Sequence, residues 1–314
     1  MRIVVTGALG HIGSRLIRYL PEHFAGCEVV MIDNLMTMRF GSLFDLPRSG
    51  RYRFIEGDVT KMALAPALQG ADGVVHLAAI TDAAGSVDRA AEVERNNFEA
   101  THRIAETCAE LNIPLVAPSS TSVYGTQKDV VDENCSAEDL KPQSPYAETK
   151  LKEEAHLATL AAGGLRVARL RLGTIFGTSA GMRFHTAVNK FCWQAVMGTP
   201  LTVWRTAFDQ RRPYLDLGDA VRAIGFFLEG RAYDGRIYNV VTTNATVRDV
   251  VEKIRAEVPS LDVRFVDERI MNQLSYEVRS DRIRAAGFQV SGDMARGIAE
   301  TVALLRGANN AAKR

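Results

Sequence analysis

Residues 6–13 read TGALGHIG, immediately behind the apolar run RIVV of residues 2–5. That run is too short for a globular helix and is dominated by β-branched residues, as a strand buried on both faces would be. Gly7, Gly10 and Gly13 then recur at intervals of three as the chain turns into a helix opened by His11 and Ile12. Glycines at such a turn permit a tight bend, close backbone approach to a pyrophosphate, and close packing of helix on sheet. The helix N-terminus offers free N–H groups and a partial positive charge to the same phosphates.

Outward from this unit, short apolar runs recur at 28–33 (EVVMID), 51–59, 73–79, 114–120 and 166–175. Helical patterns separate them at 11–20, at roughly 87–111 and at 146–162. The alternation predicts an α/β fold, a Rossmann-type doubly wound parallel sheet over residues 1–176. After Gly177 the even spacing ends. A helix over 184–197, short strands at LTVW and RIYNVV, and helices near 219–229 and 246–257 predict a smaller substrate lobe over 177–314. This lobe is expected to interleave with the first, some segments returning to the sheet. The final RGANNAAKR is small and polar, and is expected to fray.

The second strand ends at Asp33-Asn34, twenty residues after Gly13. An acid there can bond both ribose hydroxyls of an adenosine and would repel a 2′-phosphate, which favours NAD over NADP. Arg39 nearby keeps NADP as the alternative. Asp58-Val59 closes the third run, where the carboxylate either reaches an adenine amino group or caps the residues that follow.

Bulk properties exclude other classes. The 38 basic and 37 acidic residues nearly cancel, so no global field recruits nucleic acid or an anionic membrane. No stretch approaches the ~18 uninterrupted apolar residues of a membrane helix, and no signal peptide is visible. Cys27, Cys108, Cys135 and Cys192 lie far apart without a CxxC pair. They are expected to be reduced thiols of a soluble cytoplasmic protein, with no metal site.

Residues 145–150 read PYAETK, with Tyr146 and Lys150 four apart and so on one face of a helix. A neighbouring ammonium favours a phenolate, so Tyr146 can take a hydroxyl proton while hydride leaves the same carbon for a cofactor. Lys150 can also hold the nicotinamide ribose. Upstream, SSTSVYG (119–125) crowds four hydroxyls at the end of the run IPLVAP.

TGALGHIG, Asp33-Asn34, Asp58-Val59, HLAA (76–79), Asn96-Asn97, SSTSVYG and PYAETK occur in that order. Together they resemble an extended short-chain dehydrogenase/reductase of the NAD-dependent epimerase/dehydratase family, specifically over 1–177 and more loosely beyond. The resemblance implies Ser120, Tyr146 and Lys150 as a catalytic triad. It implies Leu77, Ala78 and Ala79 along the cofactor, with Asn97 as a support beside it. The loop from Ala79 through Ser86, Thr81 included, would border nicotinamide and sugar. A nucleotide sugar is the implied substrate, and pairing of the two long helices implies a homodimer.

Family dehydratases carry a carboxylate in the two positions after the catalytic hydroxyl, and here these are Thr121 and Ser122. A 4,6-dehydratase is therefore disfavoured. The expectation is an epimerase acting through a transient ketone. The alternatives are a dehydrogenase or reductase of a small non-nucleotide alcohol or ketone, and a silent dinucleotide sensor, which retention of Tyr146 and Lys150 disfavours. On the substrate side, Arg212-Pro213-Tyr214 resembles a family segment whose arginine contacts the diphosphate, with Arg211 as a neighbour that could share the role. Thr174 stands where the family often has a substrate-binding Asn. A second family arginine is missing near Asp281, where Arg269 is a substitute and Asn272, Gln273 and Tyr276 offer uncharged groups. Arg183 or His185 could bind an acidic group such as a uronate carboxylate.

Overall fold

The computed structural model describes residues 1–81, 89–125, 129–230, 232–267 and 275–308. The first half lays down strands β1 (Arg2–Thr6), β2 (Glu28–Asp33), β3 (Arg51–Glu56), β4 (Gly73–His76), β5 (Leu115–Ser120), the short β6 (Val130–Val131) and β7 (Val167–Leu172). Helices α1 (His11–His23), α2 (Ala65–Leu68), α3 (Ala90–Glu110) and α4 (Pro145–Ala162) lie between them. The second half carries β8 (Thr174–Phe176), β9 (Leu201–Trp204), β10 (Arg211–Asp216), β11 (Ile237–Val240), β12 (Thr243–Thr246), β13 (Val263–Val266) and β14 (Glu277–Val278). Its helices are α5 (Ala187–Val196), α6 (Leu217–Leu228), α7 (Val247–Glu257), α8 (Asp281–Ala285) and α9 (Met294–Arg306).

Seven parallel strands form the main sheet in the order β11-β7-β5-β4-β1-β2-β3. Alternation along β1 explains its two covered faces. Ile3 and Val5 point into a core shared with Leu16 and Leu20 of α1 and Ile224 and Phe227 of α6. Val4 points the other way, into a core with Ile104 and Cys108 of α3 and Leu157 of α4. The order reverses between β1 and β4, and there the carboxyl ends of the strands leave a crevice. The expected doubly wound sheet is the observed one.

The apolar run over 166–175 is not one strand. It breaks at Gly173, whose N–H donates to Val240 O at 3.1 Å. Before the break β7 stays in the main sheet; after it β8 pairs with β10 in a three-stranded sheet completed by β12. RIYNVV, in the part of the chain expected to interleave with the sheet, supplies β11, the edge strand beside β7. The run at 51–59 ends as strand at Glu56, because Asp58 turns the chain by accepting from the N–H and hydroxyl of Thr60 at 2.9 and 2.7 Å. Asp58 thus serves the local capping role, while still lining the crevice.

Around β8–β10 the chain builds a third core from Phe176, Phe191, Leu201, Tyr214, Val250 and Ile298. Helix α9 lies beyond the elements that the sequence pattern predicts. Its signal is an Asp293 N-cap, which accepts from Arg296 N–H at 2.8 Å, ahead of an apolar stripe at Met294, Ile298, Val302 and Leu305. The last six residues of RGANNAAKR lie outside the described residues. No described helix is long and apolar enough to cross a membrane.

Candidate active site

The crevice holds two adjoining cavities of about 460 and 350 Å³, which share Gly7, Gly10, Leu77, Ala79, Thr81 and Arg183. The glycine turn floors both. Gly7 sits at φ +64°, and a Cβ there would lie 2.6 Å from Ala78 N, so this turn admits only glycine without strain. A Cβ on Gly13 would strike Gly7 O at 2.3 Å, which seats α1 tightly on the turn. A Cβ on Gly10 would press on Gly7 O at 3.2 Å, with an Arg39 guanidinium nitrogen at 3.9 Å, so this position too is tight though less so than the other two. Helix α1 starts at Gly10 without a side-chain cap. Its free N–H groups therefore face the cleft, the arrangement a pyrophosphate requires.

Asp33 and Asn34 line the larger cavity together with Asp58, Val59, Leu77 and Ala78. Asp33 accepts from Leu9 N–H at 3.1 Å through one carboxylate oxygen and from Leu35 N–H at 2.9 Å through the other. Its lone pairs on the cavity side remain for a ribose. Arg39 lines both cavities beside it. Asn97 lines neither. It is buried behind the wall, where its amide donates to Ile80 O at 2.9 Å and accepts from Ile80 N–H at 2.8 Å. That bidentate clamp holds the 77–81 segment in place. Asn96, its neighbour, is the one that reaches the cavity.

The smaller cavity gathers Ser120, Thr121, Tyr146, Lys150, Thr174, Arg183 and Arg212, with His11, Ile12 and Gly13 at its edge. The four hydroxyls of SSTS divide their work. Ser119 turns away and donates to Glu154 Oε1 at 2.6 Å. Thr121 donates to Leu172 O at 3.3 Å. Ser120 accepts from Ser122 N–H at 3.1 Å and from the Ser122 hydroxyl at 2.8 Å, which leaves its own proton for the cavity. Helix α4 places Tyr146 and Lys150 on one face, with Lys150 Nζ 5.8 Å from the Tyr146 ring centroid. The N-cap Ser144, accepting from Ala147 N–H at 3.2 Å, and Pro145 at the first helical position set where that helix begins. Lys150 Nζ also donates to Pro118 O at 3.3 Å and to Glu153 at 2.8 Å. Burial opposes its charge, but Glu153 and Tyr146 hold its pKa above the ordinary lysine value. His76, buried under the site and pushed down to about 3 by that burial and by Lys150, is neutral.

Segment 177–189 closes the cleft over the glycine turn. His11 Nδ1 is 2.8 Å from Ser179 Oγ, Gly181 N–H donates to Ser14 Oγ at 2.8 Å, and Asn189 Nδ2 is 3.4 Å from His11 Nε2. Burial, with Arg183, Arg39 and His185 close by, lowers His11 to about 3. The neutral ring therefore accepts from Asn189 at Nε2 and donates from Nδ1 to Ser179. Arg183, carried on this segment, donates to the hydroxyl of Thr81.

Arg212 lines the smaller cavity 5.9 Å from the Tyr276 ring, with a hydrogen bond to Gln210 at 2.8 Å. Arg211 does not line the cavity: alternation along β10 turns it outward, where it pairs with Glu277. Tyr276 closes the wall by donating to Thr121 O at 3.2 Å. It was noted only as a hydrogen-bonding group, and its spacing gave no sign that it would brace the turn holding Ser120. Asn272, Arg269, Gln273 and the 82–86 part of the loop lie outside the described residues. Glu153 was also passed over, although its place one turn after Lys150 could have drawn notice.

A doubly wound parallel sheet with a glycine turn at its switch point, and a Ser, Tyr and Lys converging beside it, defines an extended short-chain dehydrogenase/reductase. The chain belongs to the NAD dependent epimerase/dehydratase family, whose model matches residues 3–240. It is 26% identical over 319 residues to the trifunctional UDP-glucose 4,6-dehydratase/UDP-4-keto-6-deoxy-D-glucose 3,5-epimerase/UDP-4-keto-L-rhamnose-reductase RHM1 of Arabidopsis thaliana. That alignment takes in 96% of this chain and 46% of the relative, so the chain spans less than half of that protein's length. It is similar to the UDP-N-acetylglucosamine 4-epimerase from Methanobrevibacter ruminantium M1, solved with UDP-N-acetylmuramic acid, at 25% identity and TM-score 0.86, covering 98% of each chain. It is also similar to MoeE5, solved with UDP-glucuronic acid and NAD, at 28% identity and TM-score 0.84, covering 98% of this chain and 100% of that one.

Proposed function

We propose that this enzyme is an NAD-dependent epimerase of a nucleotide-activated sugar. One observation carries the choice within the family. The cavity around Ser120, Tyr146 and Lys150 is lined by hydroxyls and by Arg183 and Arg212, and no carboxylate lines it among the described residues. Elimination of water from a keto-sugar needs an acid and a base beyond the Tyr–Lys pair, and Thr121 and Ser122 supply neither.

Gly7, Gly10, Asp33 and Asn34 would hold NAD along the glycine turn, where it would supply a reversible hydride acceptor. The chain's own residues do the rest. Tyr146 takes the proton of the substrate hydroxyl as the C–H bond breaks, and returns it when the carbonyl is reduced. Lys150 supplies the positive charge beside that oxygen, and Ser120 donates to the carbonyl as negative charge grows on it. Arg212 binds the diphosphate, where a planar guanidinium suits phosphate oxygens. Arg183, poised at the junction of the two cavities, binds an acidic group on the sugar, for which a uronate carboxylate is the fitting partner. Phe98, His102 and His156 form an outer α3/α4 face, with His102 Nδ1 3.0 Å from His156 Nε2, on which a second copy would pack.

The test is a proton NMR time course on UDP-glucuronate, UDP-glucose and UDP-N-acetylglucosamine with catalytic NAD. A C4 epimer with unchanged absorbance at the NADH band supports the reading. Net NADH would indicate a dehydrogenase instead, and a dehydrated keto-sugar would indicate a dehydratase.

A further inference from the structure

We propose that Glu153 is a positioning residue that keeps Lys150 an ammonium inside the wall of the cleft and fixes the direction of its Nζ. This rests on the reading of Tyr146 and Lys150 as the proton-handling pair. The two side chains meet at 2.8 Å, one turn apart on α4, and are only 7% and 5% exposed. A carboxylate this deeply buried needs a reason, because burial of an ion is costly unless it is paired.

Glu153 is the acid in direct contact with the ammonium, and the other titratable groups around it act from farther off. On α4 itself, Glu154 is the other acid, but Arg171 of β7 grips it through two bonds at 2.9 and 2.6 Å, and Ser119 of β5 donates to it at 2.6 Å. Tyr146, also on α4, lies with its ring centroid 5.8 Å from Nζ and makes no bond to it. From β4, His76 faces Lys150 as a neutral ring. From β5 the ammonium meets only the Pro118 carbonyl, at 3.3 Å. From α3, the Thr101 hydroxyl acts on Glu153. Among the described residues Glu153 is therefore the one carboxylate bonded to Lys150, while Glu154 and Tyr146 support its charge without touching it. Buried lysines without a counter-charge titrate as low as ~5–6, so loss of the bonded carboxylate lowers the Lys150 pKa toward the working pH range. The bonds to Glu153 and to the Pro118 carbonyl of β5 together fix where Nζ points.

Competitive acetylation read by mass spectrometry across pH 6–11 reports the titration of Lys150 in the full chain without any substrate. In the unaltered chain Lys150 should stay protonated to at least its ordinary value of about 10.4. In Glu153→Gln its midpoint should fall by two pH units or more, a roughly 100-fold gain in reactivity at pH 8. Turnover of this variant should decline as pH rises through the new midpoint, a limb the unaltered enzyme lacks there. A Lys150 midpoint that does not move in the folded variant overturns the proposal. If Glu153→Gln does not fold, the doubly neutral Glu153→Gln/Lys150→Gln chain decides. Recovery of the fold shows that the carboxylate serves the ammonium, and no recovery overturns it. Full turnover in Tyr146→Phe would refute the catalytic reading while leaving the acetylation result standing, so the two failures are distinguishable.

Discussion

His11 Nδ1 and Ser179 Oγ lie 2.8 Å apart, joining the first residue of α1 to a segment 168 positions later. The glycine turn and the wall that closes over it are thus held as one piece, with Gly181 and Asn189 completing the clasp. A change on the far segment should be felt at the cofactor site.

Gly181→Ala tests this. An added Cβ would fall 2.2 Å from Leu9 O and 2.6 Å from Gly10 O, both backbone atoms that cannot swing aside. Overpacking of this kind typically costs about 1–3 kcal/mol. Urea denaturation should show that loss, and calorimetry should show weaker NAD binding, although the residue belongs to the closing segment. Unchanged stability and affinity would contradict the clasp.

The same clasp predicts a pH dependence. His11 and His76 titrate at about 3 in the folded protein against 6.5 ordinarily. Between those values the unfolded chain binds more protons, so stability falls as pH drops from about 6.5 toward 3. Each histidine adds about 1.4 kcal/mol per pH unit to that slope. In His11→Gln the slope of unfolding free energy between pH 6 and 4.5 should shrink by about one proton. An identical slope in both proteins would show that His11 is not held neutral.

Tyr146→Phe keeps the ring and removes the hydroxyl. Turnover should fall roughly 10²–10⁴-fold, the usual worth of a positioned acid–base group. NAD affinity, measured by nicotinamide-sensitive fluorescence, should stay within a few-fold.

Arg183→Ala removes a guanidinium that lines both cavities. Loss of one charge-assisted bond costs about 1.5–3 kcal/mol, so KM for a UDP-uronate should rise roughly 10- to 100-fold. KM for the corresponding neutral UDP-hexose should change far less. Equal effects on both would remove the carboxylate from the account.

The sheet was legible because its strands are apolar runs bounded by turns, and the glycine turn is a local pattern. Tyr146 and Lys150 were legible because helical spacing alone puts them on one face. What sequence could not supply was contact across long separations. Tyr276 braces Thr121 from 155 positions away, and Asn189 reaches His11 from 178. No periodicity encodes such pairs. Asn97 shows a subtler limit: the family pattern sets it at the cofactor, whereas its amide faces the Ile80 backbone and does not line the cavity. The break at Gly173 is not marked by any change of strand-forming character, and only the different partners, β11 with β7 and β10 with β8, divide the run.

The position of β11 has a consequence for anyone dissecting the chain. The edge strand beside β7 is laid down only at residues 237–240, after the chain has left the sheet and come back. A fragment stopping near residue 176 would carry every other strand of the sheet and still present the bare edge of β7, a row of unpaired N–H and C=O groups with apolar flanks. Such a fragment would be sticky, so expression of the cofactor-binding part alone should yield aggregates until residues 217–240 are supplied.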